Sequence, residues 1–144
     1  MKKVIFIDKS GTSRAPFAEA IMKAGVSDKI KVESRGLVVP FEEPMNQKAE
    51  AVLKGAGFEV DDYVSKQLTN EDFDDETIAF VMEKDHLDRV LNEYEAANEN
   101  NCFLLSAYVG DELEIMDPYG GPLQAYGICF ELLRQTVVKL INML

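Results

Sequence analysis

A chain of 144 residues, 47% hydrophobic and 28% charged, has the size and composition of one globular domain with a core of its own. Its 26 acidic residues against 15 basic ones give a net charge of −11. Such a surface repels nucleic acid and acidic lipid, so neither is an expected partner, and no apolar run is long enough to span a bilayer.

Only Lys2 and Lys3 precede the first apolar run, so no signal peptide is expected. Val4-Ile5-Phe6-Ile7 reads as a buried strand. Asp8 to Ser13 is small and polar and holds the flexible Gly11, and Arg14-Ala15-Pro16 follows. Pro16 suits the first turn of a helix, where no backbone donor is needed, and Gly25 suits its end, so a helix is expected over roughly Ala15 to Ala24. Strand, tight loop and helix start together make an anion site. Backbone N–H groups converge there and the helix dipole adds positive potential. Arg14 adds a guanidinium able to grip a phosphate with two prongs. The anomaly is Asp8, a carboxylate at the centre of a site suited to anions.

Lys29 to Glu33 predicts a short strand, with Ser34-Arg35-Gly36 as the turn after it and Leu37 to Pro44 as an irregular loop. Met45, Ala49, Val52, Leu53 and Ala56 share one face of a helix over Met45 to Ala56. The acidic stretch Asn70 to Glu76 reads as a solvated loop and helix start. Thr77 to Met82 predicts a buried strand. Leu87, Val90, Leu91 and Tyr94 mark a helix, on whose polar side His86, the sole histidine, is expected to be solvated. Cys102 to Leu105 predicts a further strand, Val109 to Gly121 a loop, and Pro122 to Leu144 the longest helix, with Tyr126, Cys129, Leu133, Val137, Leu140 and Leu144 at helical spacing. Cys102 and Cys129 lack metal-like spacing and read as packing residues, as suits a reducing cytoplasm.

Strands alternating with helices imply parallel pairing and right-handed crossovers. The expected fold is a single-domain three-layer α/β/α arrangement over residues 1–144, with a central four-stranded parallel sheet and helices on both faces. In such sheets ligands bind beyond the carboxyl ends of the strands. That rule brings the Asp8 loop and the Asp117-Pro118-Tyr119-Gly120-Gly121 loop to one edge.

With these features the chain resembles the low-molecular-weight protein tyrosine phosphatase family. The family opens on an apolar strand, then a loop of Cys, five residues and Arg, then Ser-Pro and a helix with Ala-Glu. Val4 to Ile7, the spacing from Asp8 to Arg14, Pro16 and Ala18-Glu19 fit that pattern. Ser34-Arg35-Gly36 is similar to the family's Ser-Ala-Gly, and Asp117-Pro118-Tyr119 to its general-acid loop. The resemblance covers essentially the whole chain. It implies a phosphate loop of Lys9, Ser10, Gly11, Thr12, Ser13 and Arg14, with Arg14 as phosphate clamp and Asp117 as general acid. Tyr119 and Phe41 are expected at the substrate rim, the substrate is a phosphotyrosine protein or another phosphomonoester, and no cofactor is implied.

The resemblance breaks where it matters most: Asp8 stands in the place of the family's nucleophilic cysteine. Ser10-Gly11 replaces a Gly-Asn pair, Ser13 a second cysteine, and Ala15 the serine after the arginine. The loop N–H groups are expected to stabilise the Asp8 carboxylate, and an internal Asp8–Arg14 ion pair is expected to seal the pocket. A catalytically impaired or inactive phosphatase follows. Two alternatives stay open: Asp8 as a phosphoryl acceptor working with Mg²⁺, for which Gly110-Asp111 faintly echoes a metal motif, and an engineered inactive form. An arsenate reductase would need a loop cysteine and a relay of others, and this chain has neither.

Overall fold

The computed structural model describes residues 1–144. The apolar runs form four strands: β1 (Lys3–Asp8), β2 (Lys31–Gly36), β3 (Thr77–Val81) and β4 (Cys102–Leu104). They pair in parallel in the order β2-β1-β3-β4. The helices are α1 (Arg14–Gly25), α2 (Gln47–Gly55), α3 (Lys84–Glu93), the single turn α4 (Leu105–Tyr108) and α5 (Leu123–Asn142).

Alternation along β1 explains why its apolar run is unbroken. Val4 and Phe6 join one core with Phe17 and Met22 of α1, Leu53 of α2, and Leu133 and Val137 of α5. Ile5 and Ile7 join a second core with Leu68, Val81 and Val90 of α3. A central strand buried on both faces has no side to leave polar. The single-domain α/β architecture with helices on both faces is therefore as expected. No helix is long and apolar enough to cross a membrane.

Sheet order positions the site. From β1 the chain crosses to β2 on one side, then returns past β1 to β3 on the other. The crevice beyond the carboxyl ends of β1 and β3 lies where the winding reverses, the usual ligand position in such sheets. The loops after β1, β3 and β4 all open onto it.

Several boundaries differ from expectation. Ser34-Arg35-Gly36 is not a turn but the end of β2, with Ser34 opposite Phe6 and Gly36 opposite Asp8. The parallel ladder outweighs the polar composition, which an edge strand tolerates. Gly36 is small for a reason: a Cβ there would lie 2.6 Å from the Ser10 carbonyl carbon. Gly25 belongs to α1 rather than stopping it, and a Cβ there would meet Ile141 of α5 at 2.6 Å. Leu105 opens α4 instead of closing β4, Met45 and Asn46 precede α2, and Leu144 lies exposed beyond α5.

Candidate active site

The loop from Lys9 to Ser13 turns on Gly11, whose φ of +71° is the left-handed conformation that glycine adopts without strain. Its carbonyls are tied down from behind. Tyr63 Oη donates to Gly11 O at 2.5 Å, Asn46 N–H to Thr12 O at 3.0 Å, and the amides of Leu37 and Val38 to Asp8 O and Lys9 O at 3.0 and 2.9 Å. Ser10 Oγ and Thr12 Oγ1 lie 2.7 Å apart. The loop is thus fixed by its acceptors, which leaves its N–H groups as the unpaired half. The amides of Lys9, Ser10, Thr12, Ser13 and Arg14 have no acceptor in the chain.

The other two amides are already engaged. Gly11 N–H donates to Asp8 Oδ1, and Ala15 N–H donates to Asp8 Oδ2 at 2.9 Å. Ser13, at the N-cap of α1, makes no side-chain capping bond. Asp8 supplies that cap from the end of β1, placing its negative charge at the positive end of the helix dipole. Asp8 is only 2% exposed. Burial pushes its carboxyl above the ordinary 3.8, and the Asp117 charge acts in the same direction. The Ala15 and Gly11 amides and Arg14 oppose the shift without cancelling it. The loop amides do stabilise this carboxylate as expected, but desolvation outweighs them in the net shift.

Arg14 is 1% exposed, and the expected Asp8–Arg14 ion pair is not formed. Its Nη1 donates instead to Glu83 Oε2 at 2.6 Å and to Ile115 O at 2.8 Å, and its Nη2 lies 3.6 Å from Asp117 Oδ2. Nε and Nη2 donate to nothing in the chain. The guanidinium thereby joins the loops after β1, β3 and β4. With both Asp8 oxygens held by amides, the arginine finds better-placed acceptors on the neighbouring loops.

Glu83 was not among the residues expected here. Its signal in the sequence is slight, an acid two residues past the end of a strand on the active edge. His86, expected in solvent, has a side chain only 13% exposed, and its Nε2 lies 3.5 Å from Glu83 Oε2. Its Nδ1 is buried without a partner. Burial lowers the pKa of His86 below 6.5 although the Glu83 charge opposes this, so the ring tends to stay neutral and Glu83 remains the partner of Arg14.

Asp117 Oδ1 accepts the Tyr119 N–H at 3.0 Å, which fixes the turn that Gly120 completes at φ +84°. Asp8, Arg14, Asp117 and Tyr119 line one cleft of about 520 Å³, with Lys9, Ser10, Thr12 and Ser13 on its wall. Tyr119 stands exposed at the mouth, whereas Phe41, also exposed, does not line the cleft. Two distant loops therefore meet as the sheet topology requires, with four polar loop residues on the wall between them.

A divalent cation is not accommodated by the residues present. Both Asp8 oxygens accept main-chain hydrogen bonds, and Asp111 is held by Lys139 Nζ at 2.5 Å. No three His, Cys, Asp or Glu side chains are grouped to bind one. What the cleft offers is five free amides, an arginine whose Nε and Nη2 make no hydrogen bond and an acid, all around an internal carboxylate.

Comparison with known proteins gives a consistent picture. Residues 3–144 match the family described as low molecular weight phosphotyrosine protein phosphatase. The chain is 26% identical over 142 residues to a protein-arginine-phosphatase of Geobacillus stearothermophilus, covering 99% of this chain and 95% of that one. It is 29% identical over 124 residues to the low molecular weight protein-tyrosine-phosphatase PtpB of Staphylococcus epidermidis, covering 86% of each. The crystal structure of a low molecular weight protein tyrosine phosphatase from T. tengcongensis superposes with a TM-score of 0.92 at 29% identity, covering 100% of both chains.

Proposed function

The chain belongs to the low molecular weight phosphotyrosine protein phosphatase family, and from that premise we propose that it is a catalytically impaired member whose phosphate cradle is partly filled by its own Asp8. The observation that carries this reading is the pair of bonds from the Gly11 and Ala15 amides to the two oxygens of Asp8. Asp8 stands at the first position of the loop, where the family pattern places the nucleophilic cysteine. A thiolate there attacks phosphorus while the loop amides hold the equatorial oxygens. A carboxylate reaches one bond further, and its oxygens take amides that a phosphoryl group would use.

Charge decides the outcome. Two unit charges about 4 Å apart at an effective dielectric constant of about 20 repel by about 4 kcal/mol, close to a thousandfold in affinity. The five remaining amides and Arg14 favour an oxyanion, but against that repulsion. As a nucleophile Asp8 is poorly placed too, because both oxygens are pinned and desolvated. In this reading Arg14 keeps the clamp position, with Glu83 and Ile115 O steadying it, and Asp117 keeps the general-acid position at the cleft mouth. Tyr119 forms the rim. The names of the relatives point to a phosphorylated protein side chain as the group presented to the cleft, and two buried free cysteines suit a cytoplasmic setting.

The test is hydrolysis of para-nitrophenyl phosphate by the wild type, Asp8→Cys and Asp8→Asn. The wild type should stay near the uncatalysed rate, while Asp8→Cys should gain at least about 100-fold as the thiolate restores covalent catalysis. Substantial wild-type turnover that Asp8→Asn abolishes would overturn the reading and make Asp8 the nucleophile.

A further inference from the structure

A large groove lies beside the cleft. It measures about 950 Å³ and runs between the segment Gly110–Pro118 and the outer face of α5. Its floor and walls carry Leu113, Met116, Ile128 and Leu132, all exposed, with Leu113 at 83% and Met116 at 81%. A contiguous exposed apolar surface of this kind marks an interaction site rather than chance exposure. Its rim carries Asp111, Glu112, Glu114 and Asp117 against one cation, Lys139, which Asp111 already neutralises. Asp117 lines both this groove and the phosphate cleft, so the two are continuous.

We propose that this groove docks a basic, apolar segment of a partner protein, with Leu or Ile side chains on Leu113, Met116, Ile128 and Leu132 and Lys or Arg side chains on the acidic rim. It rests on the reading above in one respect, that the cleft reached through Asp117 adds little for a phosphoryl group because Asp8 fills its cradle, so the groove supplies the affinity. Charge selects among possible occupants. A second copy of this chain carries −11 and presents acids to acids, and an anionic bilayer is repelled likewise. A cationic amphipathic segment satisfies both the apolar floor and the rim.

Binding of fluorescein-labelled 12-residue peptides by fluorescence anisotropy tests this. One peptide alternates Lys or Arg with Leu and Ile, a second replaces its cations with Glu, and a third replaces its Leu and Ile with Ser. Each is made with and without a central phosphotyrosine. The basic-apolar peptide should bind at least tenfold tighter than the other two, with or without phosphate, and weaken as salt is raised. Leu132→Glu and Ile128→Glu, at exposed helix positions, should each lose at least tenfold, and Glu112→Lys should lose a smaller factor. Equal binding of the three peptides overturns the proposal, as does affinity unchanged in both helix variants that retain wild-type circular dichroism. A concentration-dependent dimer in sedimentation that Leu132→Glu dissolves overturns it in favour of self-association. A large gain from phosphotyrosine in the wild type would instead contradict the filled-cradle reading while leaving the groove intact.

Discussion

The loops after β1 and β4 face each other across one cleft but are built on opposite principles. The first is held through its carbonyls by Tyr63, Asn46, Leu37 and Val38, seats against Gly36, and buries Asp8 and Arg14 almost completely. The second leaves Leu113, Met116 and Tyr119 exposed and is tethered at separate points. Buried Ile115 accepts from Arg14 through its carbonyl, Glu114 accepts from Lys84 N–H, and Gly121 O accepts from Lys48 Nζ. A cradle for a small anion must be preorganised, because each amide counts only if it need not move to bind. A loop that meets a macromolecule gains more from accessible apolar surface. The acid Asp117 belongs to the exposed loop yet lies 3.6 Å from the buried arginine, and it links the two designs.

If that contrast holds, substitutions should hurt the first loop far more than the second. Gly36→Ala is expected to be the most damaging, because the new Cβ meets Ser10 backbone atoms at 2.6 and 2.8 Å and backbone cannot swing away. A loss of about 3 kcal/mol in urea unfolding is expected. Next comes pH. The raised pKa of Asp8 means that the buried charge costs stability as pH rises above 3.8, a cost absent below that value. Protonation on the acid side also removes the repulsion within the cradle. Sulfate, a dianion at and above pH 4, should therefore bind more tightly as pH is lowered from 7 toward 4, and Asp8→Asn should flatten that dependence in calorimetric titrations. Tyr63→Phe deletes the bond to Gly11 O and should cost about 1 kcal/mol by thermal unfolding. On the exposed loop, Leu113→Ser should stay within about 0.5 kcal/mol of the wild type by the same method. A larger loss there would erase the contrast.

The architecture was legible because β1, β3 and β4 are apolar runs and α5 carries a helical stripe, signals that a parallel three-layer fold imposes on any sequence. Ser34-Arg35-Gly36 was misread as a turn because its strand state depends on pairing with Phe6, Ile7 and Asp8, which local composition does not encode. The meeting of Asp8, Arg14 and Asp117 was legible from loop order and the sheet-edge rule. Their hydrogen bonds were not. Whether Arg14 turns to Asp8 or to Glu83 depends on which oxygens the Gly11 and Ala15 amides have already taken. His86 was misplaced for a related reason: a polar helix face reads as solvated unless a loop from elsewhere covers it.

The central claim is that Asp8 acts as the cradle's resident anion, and calorimetric titration of sulfate at pH 7 into the wild type and Asp8→Ala addresses it without any catalytic step. Freed amides at Gly11 and Ala15, together with the lost repulsion, should make Asp8→Ala bind at least about 100-fold tighter than the wild type. Equal or weaker binding by a folded Asp8→Ala would contradict the account.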